Sequence, residues 1–178
     1  MVDILLCSVP LMDIEMPAPA PFHLKGQLSD SGVVAEAIDT NIIFFNRVKD
    51  QWDDVIAALL SSPEYTVEAD EPIFVLIKQE LEKVFSEQIE LHQPKWIGLS
   101  CFTKVSRWCT TILCKFIKDN YPDCKIMLGG AGLGLTLGDY TDPFAIDLKK
   151  QGLCDEFIMG EGEISLRKFF EKTKYPGI

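Results

Sequence analysis

At 178 residues, with 47% of them apolar, the chain suits one domain, residues 1–178, with a substantial core. Lys plus Arg number 17 against 27 for Asp plus Glu, and the resulting charge of −10 opposes a phosphate backbone, so nucleic acid is not an expected partner. Apolar runs such as Ile97 to Cys101 are too short to span a bilayer, and Asp3 stands where a signal peptide would carry positive charge; the expectation is a cytoplasmic protein with no membrane partner.

The run from Asp3 to Val9, stopped by Pro10, reads as a strand buried on both faces of a parallel sheet. After a loop carrying Pro10, Pro17, Pro19 and Pro21, Leu24 and Leu28 predict a short helix that ends at Gly32. Val33 to Ile38 is the second strand. Two helices are expected between Thr40 and Pro94, one over Trp52 to Leu60 and one over Ile73 to Leu91, with Phe74, Ile77, Leu81, Val84, Phe85 and Ile89 on one stripe. Pro63 and Pro72 bracket the loop between them.

Trp96 to Ser100 is the third strand and Lys104 to Asn120 a helix. Lys125 to Gly130 is the fourth strand with its terminal turn, Glu156 to Gly160 the fifth, and Glu163 to Lys172 the last helix. Strands alternating with helices predict an α/β, doubly wound, five-stranded parallel sheet of the Rossmann-like or flavodoxin-like kind, in the order 2-1-3-4-5. Such sheets bind ligands beyond the carboxyl ends of their strands. That edge comprises Pro10 to Pro21, Ser100 to Thr103, Gly129 to Gly134 and Gly160 to Glu163.

The catalytic inventory is thin. His23 and His92 are the two histidines, and neither a His-Glu-x-x-His, a Cys-x-x-Cys nor a Walker Gly-x-x-x-x-Gly-Lys occurs. A phospho-receiver needs an aspartate at the end of the third strand, where Ser100 and Cys101 stand. The domain alone is therefore expected to have no catalytic turnover. The six cysteines lack tight spacing and fall in or beside apolar segments, which suits reduced core thiols.

Three features at the expected edge remain. Gly129-Gly130-Ala131-Gly132-Leu133-Gly134 could let a ligand approach the backbone or could simply be a turn. Ser100-Cys101-Phe102-Thr103 offers two hydroxyls, for a ligand or as a helix N-cap. Gly160-Glu161-Gly162-Glu163 could bind or could start a helix, with Glu163 favouring the macrodipole.

Trp96 to Ser100, Lys125 to Gly130 and Asp155 to Glu163 together resemble the strand signatures of the N-terminal cobalamin-binding domain of cobalamin-dependent radical SAM enzymes. Pro19-x-Pro21, Leu24, Leu28, Gly32 and Asp39-x-Asn41 resemble that family's opening, and Gly-Glu-Gly-Glu is the most specific piece. The resemblance implies a cobalamin (vitamin B12) lying across the carboxyl edge, with its nucleotide tail between strands and helices. The implied cofactor contacts are Pro19, Pro21, Ser100, Cys101, Thr103, Gly129, Gly130, Ala131, Gly160, Glu161 and Gly162.

Two departures accompany the resemblance. An axial histidine in the methionine-synthase type of cobalamin domain sits in Asp-x-His-x-x-Gly, whereas Pro21 precedes His23 here, so no protein ligand to the metal is expected. Cys101, Cys109 and Cys114 do not have the Cys-x3-Cys-x2-Cys spacing of a radical SAM cluster. An iron–sulfur cluster and S-adenosylmethionine would then belong only to a separate C-terminal catalytic domain, a partner in cis or in trans. Tyr175 to Ile178 resembles the linker before that domain. Two functions stay open: the cofactor module of a methyltransferase-like radical SAM enzyme, or a stand-alone Rossmann-like binding or scaffold protein that has lost the cofactor.

Overall fold

The structure is a computed structural model and describes residues 1–61, 70–133, 143–160 and 162–174. The strands are β1 (Ile4–Ser8), β2 (Ala35–Ile38), β3 (Trp96–Ser100), β4 (Lys125–Gly129) and β5 (Glu156–Phe157). They form one parallel sheet in the order β2-β1-β3-β4-β5, as the alternation of apolar runs and helices predicts. All five residues of β1 are buried, because helices cover both faces of its neighbourhood.

The helices are α1 (Pro19–Leu28), α2 (Thr40–Val48), α3 (Trp52–Ser61), α4 (Pro72–His92), α5 (Arg107–Asn120), α6 (Phe144–Lys150) and α7 (Gly162–Lys174). Side chains alternate across the sheet, which splits the core in two. Leu5, Cys7, Ile97, Leu99, Ile126 and Leu128 face the larger core with α2 to α6. Ile4, Leu6 and Met127 face a smaller one with Leu28 of α1 and Leu166 and Phe170 of α7.

Several elements differ from expectation: α1 opens at Pro19, inside the expected proline loop, and α5 starts at Arg107 after a single 3-10 turn over Lys104–Ser106. Among the described residues between Thr40 and Pro94 there are three helices, not two; α2 starts where Asp39 accepts a hydrogen bond from the Ile42 amide (3.2 Å), and it buries Asn41, Phe44 and Val48 at helical spacing. α6 was not anticipated and is fixed by the burial of Phe144, Ala145 and Leu148. β2 begins at Ala35 instead of Val33. β5 spans two residues, not five, and Gly160 beyond its end takes φ 77°. The expected loop around Pro63 and the linker from Tyr175 lie outside the described residues.

Among the described residues no helix is long and apolar enough to cross a membrane. All six cysteines are free and buried. Burial pushes the thiols of Cys101, Cys124 and Cys154 from 9.0 up to about 11, and those of Cys7, Cys109 and Cys114 are likewise raised. A raised thiol keeps its proton in the folded state where the unfolded chain has lost it, so stability falls as pH rises from about 9 through about 11. Urea midpoints taken between pH 8 and pH 11 should decline, and Cys101→Ala should make the decline shallower; an unchanged slope would contradict the assignment.

Candidate functional site

The register of the three central strands sets the site. Leu6, Gly98 and Met127 lie side by side in one row, and Ser8, Ser100 and Gly129 in the next row toward the carboxyl edge. Both rows face α1 and α7. At the centre of the sheet this face therefore carries Gly98, Ser100 and Gly129, where neighbouring positions carry Leu6 and Met127. The two helices cannot close onto such small residues, and a cavity of about 230 Å³ remains.

Its floor is Leu6, Gly98, Ser100, Met127 and Gly129, and its walls include Leu24 of α1 and Leu166 of α7. Among the described residues, three polar side chains line it: His23, Ser100 and Glu163. His23 Nε2 lies 3.4 Å from Glu163 Oε1, joining α1 to the first turn of α7. Where the two helices meet, a Cβ on Gly162 would come within 3.2 Å of Leu24 Cδ2, so the glycine permits close packing.

The loop after β1 is ordered from β2's end. Asp39 Oδ1 accepts from Ser8 Oγ (2.8 Å), and Asp39 Oδ2 from the Ala18 amide (2.8 Å) just before α1. Asn41 Oδ1 accepts from the Met12 amide (3.1 Å), while its Nδ2 donates to the Met12 and Asp13 carbonyls (both 3.3 Å). The Thr40 hydroxyl donates to the Ser8 carbonyl, and the Asn41 amide to Ser8 Oγ (3.2 Å). Ser8 is consequently occupied within the protein, which leaves Ser100 as the hydroxyl of its row that lines the cavity.

Of the residues the sequence singled out, Pro21, Ser100, Gly129, Gly130, Ala131, Gly160 and Gly162 line the cavity. Pro19 instead opens α1 at a position where its missing amide costs no hydrogen bond. Thr103 caps the turn before α5, its Oγ1 accepting from the Ser106 amide at 3.3 Å. Cys101 is buried in the larger core. Glu161 and Gly134 lie outside the described residues.

Gly129 and Gly130 serve different ends. A Cβ on Gly129 would meet nothing within 4 Å, so its missing side chain is cavity space. Gly130 has φ 101°, and a Cβ there would stand 2.3 Å from the Cys101 carbonyl oxygen. A Cβ on Gly132 would likewise stand 2.4 Å from the Thr103 carbonyl oxygen. These last two glycines hold the β4 turn against the β3 loop. Buried Arg107 braces the same turn, donating from Nε to the Gly132 carbonyl (2.7 Å) with its guanidinium 4.9 Å from the Phe144 ring centre.

Sequence reasoning missed Leu6, Gly98, Met127, Leu24 and Leu166, and did not join His23 to Glu163. One signal was available: Gly98 and Ser100 are two apart in a strand, hence on one face, and both are small. No group of three or more His, Cys, Asp or Glu side chains is placed to hold a metal ion among the described residues. No protein-family model matches the chain, and no curated protein matches it.

Asp39→Ala removes three hydrogen bonds to a carboxylate, including the α2 cap, and should destabilise the fold by about 2 to 4 kcal/mol in urea unfolding. Loss of less than about 0.5 kcal/mol would show that the loop after β1 is held by other contacts.

Proposed function

We propose that the chain is a cobalamin-binding module, the cofactor domain of a methyltransferase-like, cobalamin-dependent radical SAM enzyme. The observation that carries the reading is the apolar cavity under α1 and α7, opening where parallel α/β sheets bind their ligands. The resemblance of the strand ends to that family supplies the identity of the ligand.

The residues suit the group in size and chemistry. A cavity of about 150 Å³ accommodates benzene, so 230 Å³ suits a fused bicyclic ring of about nine non-hydrogen atoms and excludes a corrin. The nucleotide tail would be held by Gly98, Ser100 and Gly129. Phe22, Phe102 and Ile164, which belong to segments at the carboxyl edge and are 46%, 52% and 67% exposed, would hold the macrocycle by apolar contact. When bound, the cobalamin supplies a cobalt centre for methyl-transfer or radical chemistry. A radical SAM catalytic domain, in cis or in trans, would contribute the iron–sulfur cluster and S-adenosylmethionine.

His23 has no coordinating role in this reading. Its Nε2 faces Glu163, and the partly exposed pair ties α1 to α7. Ser100 would address the tail through its hydroxyl. Thr103 would contribute indirectly, by fixing the loop that carries Phe102.

Equilibrium dialysis with hydroxocobalamin tests the reading. The wild-type chain should retain the cofactor; Gly129→Leu, which fills the cavity without a backbone clash, should weaken binding at least about tenfold, a loss of about 1.4 kcal/mol. His23→Ala should leave both affinity and visible spectrum nearly unchanged. If the wild-type chain retains no cobalamin, the module reading falls and a stand-alone binding or scaffold role takes its place.

A further inference from the structure

Among the described residues β2 and β5 end the sheet, and their outer sides are closed in the same way although the strands lie far apart in the chain. In β2, Ala35 and Ala37 pack on the smaller core and Ile38 on the larger one, so by alternation Glu36 lies on the larger-core face. Its carboxylate nevertheless meets Lys25 Nζ (2.7 Å) of α1, a helix of the smaller core. In β5 the faces are exchanged. Phe157 packs on the larger core and Glu156 lies on the other face, yet the Glu156 carboxylate meets Lys149 Nζ (2.6 Å) of α6, a helix of the larger core. Each bridge therefore passes round the outer side of its strand.

That outer side carries main-chain groups turned away from the ladder. The Ile4 amide donates to the Val34 carbonyl (3.3 Å), and the Ile158 amide to the Leu128 carbonyl (2.8 Å). With the observed registers, these bonds leave Ala35, Ala37 and Phe157 pointing their amides and carbonyls outward. Glu156 Oε1 accepts from the Phe157 amide (3.2 Å). At the other edge, Lys25 above all, and the Ala37 amide in addition, hold the Glu36 carboxyl below its usual range. In both strands the carboxylate thus serves the outward amide of the next residue.

Ion pairs as exposed as these contribute little to stability, so their shared placement calls for another cause. An open strand edge is a template for a further strand. We propose that the Lys25–Glu36 and Lys149–Glu156 bridges are edge guards, which keep the sheet from extending into a second copy of this chain. At β2 the carboxylate also acts by charge. In a two-fold antiparallel pairing that joins Ala35 of one copy to Ala37 of the other, the two copies of Glu36 would stand directly opposite, and like charges in that position are destabilising. This inference is independent of the cobalamin reading.

Glu36→Val and Glu156→Val test it, with Glu87→Ala as the control that removes an equal charge and breaks the Arg47 bridge on α4. Hydrogen exchange is followed at the Ala35, Ala37 and Phe157 amides at rising protein concentration, beside sedimentation velocity. In the wild-type chain and the control, exchange at these amides should not depend on concentration. In Glu36→Val the Ala35 and Ala37 amides, and in Glu156→Val the Phe157 amide, should slow by at least about tenfold as a faster-sedimenting species forms. Lys25→Ala and Lys149→Ala open the same edges from the helix side and should behave alike, so a valine variant that no longer melts cooperatively leaves the test standing. Exchange independent of concentration in the variants that do melt cooperatively would overturn the proposal. So would association that leaves the edge amides unprotected, or a wild-type chain that already protects them as its concentration rises.

Discussion

The in-register parallel pairing of β1, β3 and β4 governs the rest of the molecule. Because those three strands align residue for residue, Gly98 is set between Leu6 and Met127, and Ser100 between Ser8 and Gly129. A slip of one residue would carry Gly98 and Ser100 to the opposite face, where α2 to α6 pack, and would replace them under α1 and α7 with Ile97 and Leu99. The cavity would vanish. Its existence is thus a consequence of register, with small residues concentrated at the middle of one sheet face.

Around that void the protein spends its polar side chains on holding loops in place. Asp39 and Asn41 tether the chain between β1 and α1, Thr103 caps the turn into α5, and Arg107 braces the turn after β4. Each group is anchored on an element of the sheet or of the larger core. The mouth of the cavity therefore stands on rigid supports although its own residues are in loops, an arrangement that favours a preformed site.

The glycines at the carboxyl edge illustrate how one residue type answers unrelated demands. Gly129 makes room in the cavity; Gly130 and Gly132 let the β4 turn meet the β3 loop backbone to backbone; Gly160 takes positive φ beyond the end of β5. In the sequence they form two similar glycine clusters. The distinction depends on which atom each missing Cβ would have met, and that atom belongs to another strand or loop.

The sequence alone determined the parallel sheet and its order, because these follow from local patterns: the apolar runs of β1, β3 and β4, the helical stripe of α4, and Gly32 at the turn after α1. It also pointed to Ser100 and Gly129. What only the tertiary structure decided were relations between distant residues. Gly98 became a cavity floor through its neighbours on β1 and β4, Glu163 became the partner of His23 because α1 and α7 lie on the same face, and Asp39-x-Asn41 became a clamp because β2 lies beside β1. α2 and α6 escaped the linear reading for the same reason. Their apolar residues are few and become decisive only against the larger core, where burial outweighs weak local propensity.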